Sequence, residues 1–507
     1  MMKKFLGIDV GTGGTRAVLV DEAGRVLGAA TAEHAPMHSP QIGWAEQDPE
    51  NWWSAASRAI QKCLRKAEAL PIEIACIGLT GQMHGLVLLD AEGRVLRRAI
   101  IWCDQRTEEQ CRQITKKLGA QGVIERTANP ALTNFTLPKI WWVQQHEPGI
   151  WARVRTILLP KDYVRYRMTG ASAIDVAEAS GTLFFDVARR TWSPEMLEVS
   201  GIDEKLLPRV YESQEICGRI SKNGADATGL VVGTPVVAGA GDQAAGAVGM
   251  GIVRSGAVSA TIGTSGVVFA ATGKPVLDPR GRIHTFCHAV PGRWHVMGVT
   301  QAAGLSLRWF RDQFGAEGGS VNATNDPYDG LTAEAAKAPP GADGLLWAPY
   351  LMGERTPHLD PQARGALVGI TAQHTREHVI RAILEGVAFS LRDTLEIFSE
   401  LKIPVELIRL GGGGARSALW RQIQADVYGR TVELPEAEEG PAFGVALLAG
   451  VGAGTWPSVE EACDGAVRVA QRIAPERDHA ARMLRQYGVY RQMYPSLRGM
   501  SHELSRM

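Results

Sequence analysis

A chain that repeats one tight reversal in both halves is constrained toward a duplicated architecture, and this one carries IDVGTGG at residues 8–14 and ATIGTSG at residues 260–266. Each copy lies between runs of β-forming residues, KFLGIDV and TRAVLV in the first and GAVSATI and GVVFA in the second, so each is expected to form a hairpin. Glycine at Gly11, Gly13 and Gly263 lets backbone amides approach an anion, and the hydroxyls of Thr12 and Thr264 add donors. Either turn can hold a phosphate oxygen, and two copies about 250 residues apart point to a polyphosphate held between the halves of a duplicated fold. The copies differ in one charge, because Asp9 stands where the second has Thr261. A single magnesium ion on one side of a nucleotide requires that asymmetry, although an Asp at a strand end also serves as a plain turn residue.

With 507 residues the chain exceeds one ordinary core, and the duplication favours two large domains over the three or four that length alone allows. Lys+Arg and Asp+Glu both total 54, so no nucleic-acid backbone or anionic membrane is expected as a partner. Seven scattered cysteines without a CxxC pair disfavour a disulfide framework and a zinc site, and fit a reducing cytoplasm. The apolar run after the first lysines is too short for a signal peptide, and no stretch approaches the roughly 20 apolar residues of a membrane span.

Along the chain, residues 4–32 are expected to form two or three strands, with EAGR at 22–25 as the second reversal. A further strand pair, IEIACIGLT and GLVLLD, is expected around the loop at 81–85, closed by AEGR at 91–94. Mixed, largely helical structure follows to about residue 230, and the tryptophans of PKIWWVQQH are expected to pack in the core or a lid. In the second half, residues 378–398 present Val379, Ile383, Val387, Leu391 and Leu395 at helical spacing and read as a buried helix. The strand VELIRL runs into GGGGARS at 411–417 and then a helix, a good cradle for an anion or a ribose.

Without GxxxxGK[ST] the chain is no P-loop enzyme, and a glycine cluster between strands does not open a helix as a dinucleotide fingerprint must. Asp242, in GAGDQAAG, is flanked by residues too small to cover it, so a ligand alcohol can reach its carboxylate and lose a proton there. Capping of the following Ala-rich helix is the competing role. Met83 and His84 lie in a Gly-flanked loop tip that must face something other than core, although an isolated His is often structural. For GERTPH at 353–358 a surface ion pair explains Glu354 and Arg355 equally well, and its role is open.

Together these segments resemble the FGGY family of carbohydrate kinases, in the superfamily of actin, hexokinase and the heat-shock chaperone ATPases. The likeness runs from GIDVGTGGTRA through AEQDPENWW, GQMHG, IIWCDQR, LLPKDYVRYRMTG, AGDQAAGAVG, IGTSGVVFA and PYLMGERTPH to GGGGARSALWRQIQADV. One family signature is met throughout residues 365–385; the other begins with Asn134 where a small or aromatic residue is usual. The resemblance implies two ribonuclease-H-like α/β domains with a cleft between them: residues 1–246 with the sugar site and first phosphate motif, 254–470 with the second phosphate and adenosine motifs, and a helical tail at 471–507. It makes Asp242 the catalytic base and Asp9 the acidic residue of the first phosphate motif, with both at Mg2+. Met83 and His84 correspond to the sugar-contacting pair, with Asp242 and Gln243 beside them. Gly11, Thr12, Gly13, Gly263, Thr264, Gly304, Gly412, Gly413 and Ser417 fall to ATP. The implied reaction is ATP-dependent phosphorylation of the terminal hydroxyl of a ketopentose, D-xylulose, by a cytoplasmic enzyme for which a homodimer is an admissible assembly. Gln243 departs from the Asn usual in that branch and leaves ribulose and glycerol as alternatives. A nucleotide-gated sugar sensor is the alternative of another class, disfavoured because no DNA-binding or β-rich appendage is evident.

Overall fold

The computed structural model describes residues 3–315, 327–437 and 440–507. In the first half, strands β1 (Lys4–Val10), β2 (Gly14–Asp21) and β3 (Val26–Glu33) form an antiparallel meander. Helix α1 (Pro49–Lys66) then crosses back to β4 (Ile74–Gly81), which lies parallel to β1. Asp48 starts α1 by accepting the Glu50 amide, with Pro49 pre-set in the first turn. Helices α2 (Thr136–His146), α3 (Pro160–Thr169) and α4 (Val176–Ser180) precede β5 (Ile216–Arg219) and β6 (Pro235–Val237). The sheet order is β5-β6-β4-β1-β2-β3, and the two-residue strand Ala240–Gly241 also pairs with β4 just before α5 (Asp242–Gly249).

The second half repeats this plan with β7 (Gly256–Ile262), β8 (Gly266–Thr272), β9 (His284–Cys287) and β10 (Trp294–Thr300). Helix α6 (Gly304–Phe314) and the 25-residue α7 (Arg376–Glu400) lead to β11 (Val405–Gly411), α8 (Ala418–Tyr428) and β12 (Val432–Pro435). The chain closes with α9 (Gly440–Gly452), β13 (Val469–Ile473) and α10 (Arg477–Leu504). Its sheet runs β9-β10-β8-β7-β11-β12-β13. The series of pairings antiparallel, antiparallel, parallel, parallel from β3 to β6 recurs from β10 to β12, so the duplication in the turns extends to the sheets.

Both expected hairpins form, as β1–β2 and β7–β8. Helix α7 is buried along Ile383, Val387 and Leu391 against the second sheet's core, each such side chain contributing about 1.5–3 kcal/mol. One expectation fails: IEIACIGLT and GLVLLD do not pair with each other. The former becomes β4 inside the main sheet, whereas Val87–Leu89 pairs with Thr156–Leu158. Parallel addition of β4 beside β1 satisfies its backbone with a strand about 70 residues earlier, a partner that local patterning does not reveal. Trp141 and Trp142 are buried in the core as expected, and Trp142 stacks on His146 at 4.7 Å.

Helix α9 ties the halves together. It is apolar on all sides, as a helix enclosed by protein must be, and it packs between the first sheet and α5. Backbone meets backbone there: a Cβ on Gly7 would stand 1.9 Å from the Ala442 carbonyl oxygen, and one on Gly444 would stand 1.9 Å from that of Ala245.

Candidate active site

The carboxyl ends of the parallel strands carry the site, where such sheets place their ligands. Register explains how two carboxylates meet. Asp9 in β1 lies opposite Thr80 of β4, and on the other flank of β4 Gly241 lies opposite Gly81, so Asp242 follows at the same level. Asp242 is the first residue of α5; Gly241 occupies the cap position and no side chain caps the helix, which removes the capping role considered for Asp242. Burial raises the Asp242 carboxyl to about 6, against hydrogen bonds from Gln243 that favour the ionised form. Asp9 is raised to about 7 by burial and then by the Asp242 charge, partly offset by Arg16. The Oδ1 atom of Asp9 is buried without a hydrogen-bond partner, as is the Thr80 hydroxyl beside it. An orphaned carboxylate oxygen facing a second carboxylate suits a hard cation.

In the first turn the Gly11 amide is used internally, donating to Gly14 at 3.0 Å. The second turn is closed in the same way, by Gly263 to Ser265 at 2.9 Å, and Gly304 donates to the Gly263 carbonyl at 2.9 Å. Among the described residues no acceptor takes the amides of Thr12, Gly13, Thr264 or Ser265, which leaves those four as the donors available to an anion. Trp102 and Gln47 were not singled out as site residues from sequence, yet they brace the first turn. The Trp102 indole donates to Thr12 Oγ1 at 2.9 Å, and the Gln47 amide donates to the Thr12 carbonyl at 2.7 Å. With its oxygen already accepting, the Thr12 hydroxyl keeps its proton for another acceptor.

On the second half, β7 and β11 are parallel neighbours with Thr261 opposite Gly411, so the Gly-Thr turn and the glycine run emerge side by side. They line a cavity of about 240 Å³ that gathers Thr264, Gly304, Gly413, Ser417, Tyr328 and Trp420. Two glycines are required by close contact: a Cβ on Gly304 would lie 2.4 Å from the Gly263 oxygen, and one on Gly412, at φ +74°, would lie 2.5 Å from that of Ile262. Ser417 caps α8 by accepting the Trp420 amide at 3.3 Å.

Met83 is buried against Gly241, the residue before Asp242. His84 holds a left-handed backbone, φ +68°, unusual for a residue with a side chain. Its Nδ1 lies 2.8 Å from the Gly181 carbonyl oxygen. Burial first, and then Lys139 and Arg355, push its imidazole down to about 3. A neutral ring that donates from Nδ1 to a carbonyl presents Nε2 as an acceptor, suited to a ligand hydroxyl. Around it stand Phe135, at 5.0 Å, with Phe286 and His284 of β9, so this wall draws on both halves.

Beneath Asp242 lies a fully buried charge network that the sequence reading passed over. Lys161 of the LPKDY segment bridges Asp162 at 2.5 Å and Asp175 at 2.7 Å, and Arg165 joins Asp162 at 2.7 Å. Glu178 has no partner on either carboxyl oxygen, and burial raises it well above the usual carboxylate range. The alternation of Lys161, Asp162 and Arg165 with Tyr163, Val164 and Met168 in PKDYVRYRMT was the available signal, charges spaced onto a face that the apolar residues also bury. Among the described residues there is no cluster of three or more metal-ligating side chains, and no helix is long and apolar enough to cross a membrane.

A duplicated sheet pair in which each half carries a Gly-Thr turn, with a cavity beside the second turn and two half-buried carboxylates on the first half, is the architecture of a phosphoryl-transfer enzyme. The FGGY family of carbohydrate kinases matches with its N-terminal domain over residues 4–249 and its C-terminal domain over residues 258–453, and the chain belongs to that family. It is an ATP-dependent carbohydrate kinase acting on a small-molecule sugar. A xylulose kinase of Bacillus subtilis (strain 168) is 38% identical over 503 residues, covering 99% of both chains. One from Escherichia coli (strain K12) is 41% identical over 458 residues, 90% of this chain and 92% of the relative. The crystal structure of a xyloylose kinase from Brucella ovis superposes with a TM-score of 0.90 at 36% identity, covering 98% of this chain and all of the other.

Proposed function

We propose that the chain transfers the γ-phosphoryl group of ATP to the terminal hydroxyl of D-xylulose, giving D-xylulose 5-phosphate. The supporting observation is the half-buried Asp242 carboxyl, set between the Met83–His84 loop and Asp9 and raised to about 6. That value suits a base that must be ionised at neutral pH and still accept an alcohol proton. The relatives named above, two of them xylulose kinases over nearly this whole chain, favour a ketopentose.

In this reading the acceptor enters past Met83 and His84, and its outer hydroxyl lies against Asp242, flanked by Gln243. Asp242 takes the hydroxyl proton as the oxygen bonds to the γ-phosphorus, and the bond from that phosphorus to the ADP oxygen breaks. The amides of Thr12, Gly13 and Thr264, with the Thr12 hydroxyl, receive the phosphate oxygens, while Gly304, Gly412, Gly413 and Ser417 shape the adenosine side. Asp9 and Asp242 would hold Mg2+, which when bound neutralises phosphate charge; the orphaned Asp9 Oδ1 fits that use. The fork of two lobes aligns the reactants and excludes water, the main means of acceleration for a loose, charge-spreading transition state.

Coupled ADP detection across D-xylulose, D-ribulose, glycerol and D-gluconate tests the reading. Expected is a kcat/KM for D-xylulose at least about tenfold above the others, as a site built to hydrogen-bond particular hydroxyls gives. Preference for another acceptor would overturn it.

A further inference from the structure

The segment GERTPH belongs to neither phosphate turn nor to the Met83–His84 loop, and its place in the second half shows what it holds. β10 ends at Thr300, opposite Gly266, and only Gln301, Ala302 and Ala303 separate that end from α6. The first two amides of α6 are spent on the second Gly-Thr turn: Gly304 donates to the Gly263 carbonyl at 2.9 Å and Leu305 to the Thr264 carbonyl at 3.1 Å. Those bonds tie both carbonyls back into the lobe. The amides of Thr264 and Ser265, which no described residue accepts, are left for a ligand, and Thr264 and Gly304 line the same cavity.

Glu354 grips the connection that leads into α6. It is buried, its Oε1 accepts the Gln301 amide at 3.0 Å and the Arg355 amide at 2.7 Å, and its Oε2 lies 2.5 Å from Thr300 Oγ1. Ser390 of α7 donates to the same Thr300 hydroxyl at 2.9 Å. The loop that bears Glu354 is itself fixed. Its backbone pairs both ways with Asp360, at 2.9 and 2.8 Å, and Thr356 exchanges backbone and hydroxyl hydrogen bonds with Val299, at 3.0 Å each. The donors to Glu354 are uncharged, so a surface ion pair is not its role. Burying a carboxyl is unfavourable unless its oxygens are bonded, and here the bonds go to the end of β10 and the start of the connection. Burial raises the carboxyl to about 8 against those bonds, and the anchor holds in either protonation state because both amides meet Oε1.

We propose that Glu354 is a positioning residue for ATP, resting on the phosphate role given above to the second Gly-Thr turn: by holding Thr300 and Gln301 it fixes where α6 starts, and through the Gly304 and Leu305 amides it aims that turn at the phosphates. It acts through the backbone, not by contact with the nucleotide. Misplacement by about 1 Å can cost about 100-fold where reacting groups must be aligned, so a short, rigid connection is worth anchoring. The sugar side provides the control. His284, in the wall beside His84, belongs to β9, the sheet neighbour of β10, so a general loosening of the second half would disturb sugar binding as well.

The test compares wild type with Glu354→Ala and Glu354→Gln, reading by calorimetry the Kd of a non-hydrolysable ATP analogue and of D-xylulose, each alone, and the steady-state KM of both substrates. For E354A the analogue Kd and the ATP KM should rise about 10-fold or more, while the D-xylulose Kd changes less than about twofold. E354Q keeps an oxygen for the two amides and should stay within about threefold of wild type for both ligands. Unchanged ATP affinity in folded E354A overturns the inference. So does an equal rise for both ligands, the mark of a lobe loosened as a whole. Should E354A not fold, Glu354→Asp, whose carboxyl stops one methylene short of the Gln301 amide, is held to the same criteria. Wild type that binds adenosine as tightly as the ATP analogue overturns instead the phosphate role of the turns, and wild type that does not bind D-xylulose overturns the proposed acceptor.

Discussion

Asp242 and Asp9 show how one type of side chain takes two characters from its surroundings. Both are raised, to about 6 and about 7, and the proposed base must be ionised to work. kcat/KM is therefore expected to be flat above neutrality and to fall about tenfold per unit below about pH 6, and a profile still flat at pH 5 would exclude Asp242 as the base. Asp242→Asn should lower kcat by at least roughly 100-fold in a protein with an unchanged unfolding midpoint. For stability the sign is opposite to that of a paired carboxylate. A folded pKa above the unfolded value of 3.8 means the native state binds the extra proton, so Asp9 ionisation costs stability as pH rises from about 4 to about 7. Ligand-free Asp9→Asn should accordingly be more stable than wild type at pH 8, by up to about 4 kcal/mol, with the gain vanishing near pH 3.5 in urea titrations. Both carboxylates were visible in the sequence because small neighbours and apolar strands single them out, although turn formation and helix capping remained open for them until the structure showed that no side chain caps α5. His84 was less clear, since neither its left-handed backbone nor its bond to Gly181 is written in adjacent residues.

Strands, turns and helices carry glycines whose purposes differ, and substitution separates them. A Cβ on Gly13 meets nothing, so Gly13→Ala should unfold within about 0.5 kcal/mol of wild type. Its methyl group would nonetheless stand at the proposed phosphate turn and raise ATP KM. Gly444→Ala is the converse: a Cβ 1.9 Å from the Ala245 oxygen must push α9 off α5, and the denaturation midpoint should fall by an amount worth about 1–3 kcal/mol or more. Unchanged stability of Gly444→Ala would mean that the helices can separate freely. The two hairpins were legible because turn chemistry and period-two patterning act over a dozen residues. The partner of Val87–Leu89 was not, because Thr156–Leu158 lies nearly seventy residues away and either neighbour satisfies the same pattern.

Across the whole molecule, the halves touch at α9 against the first sheet and at β9, where Ser180 Oγ and the Cys287 amide are 3.0 Å apart. The first contact is broad and apolar; the second combines Phe269, Phe286 and Met297, packed in one apolar cluster with Phe135, Phe185 and Trp192, with hydrogen bonds such as Asn129 to the Thr285 carbonyl at 2.8 Å and Trp294 to the Val187 carbonyl at 2.7 Å. Two lobes that share a ligand between them are expected to close when that ligand bridges them. Small-angle scattering should show a smaller radius of gyration with D-xylulose and a non-hydrolysable ATP analogue together than with neither. Identical curves would contradict closure.

The amino-acid order alone carried the duplication, the Gly-Thr turns, the single unmatched carboxylate at Asp9 and the small residues flanking Asp242. Each of these is a property of short-range sterics, of which residues can turn, extend or remain uncovered within one or two elements. Folding decided the rest: that α9 crosses to the first sheet, that a buried Lys161 network underlies Asp242, and that His284 of the second half joins Phe135 and Phe286 beside His84. Those relations join residues from about 80 to more than 400 positions apart, and their energies arise from burial and unpaired charge, which exist only once distant surfaces have been brought together.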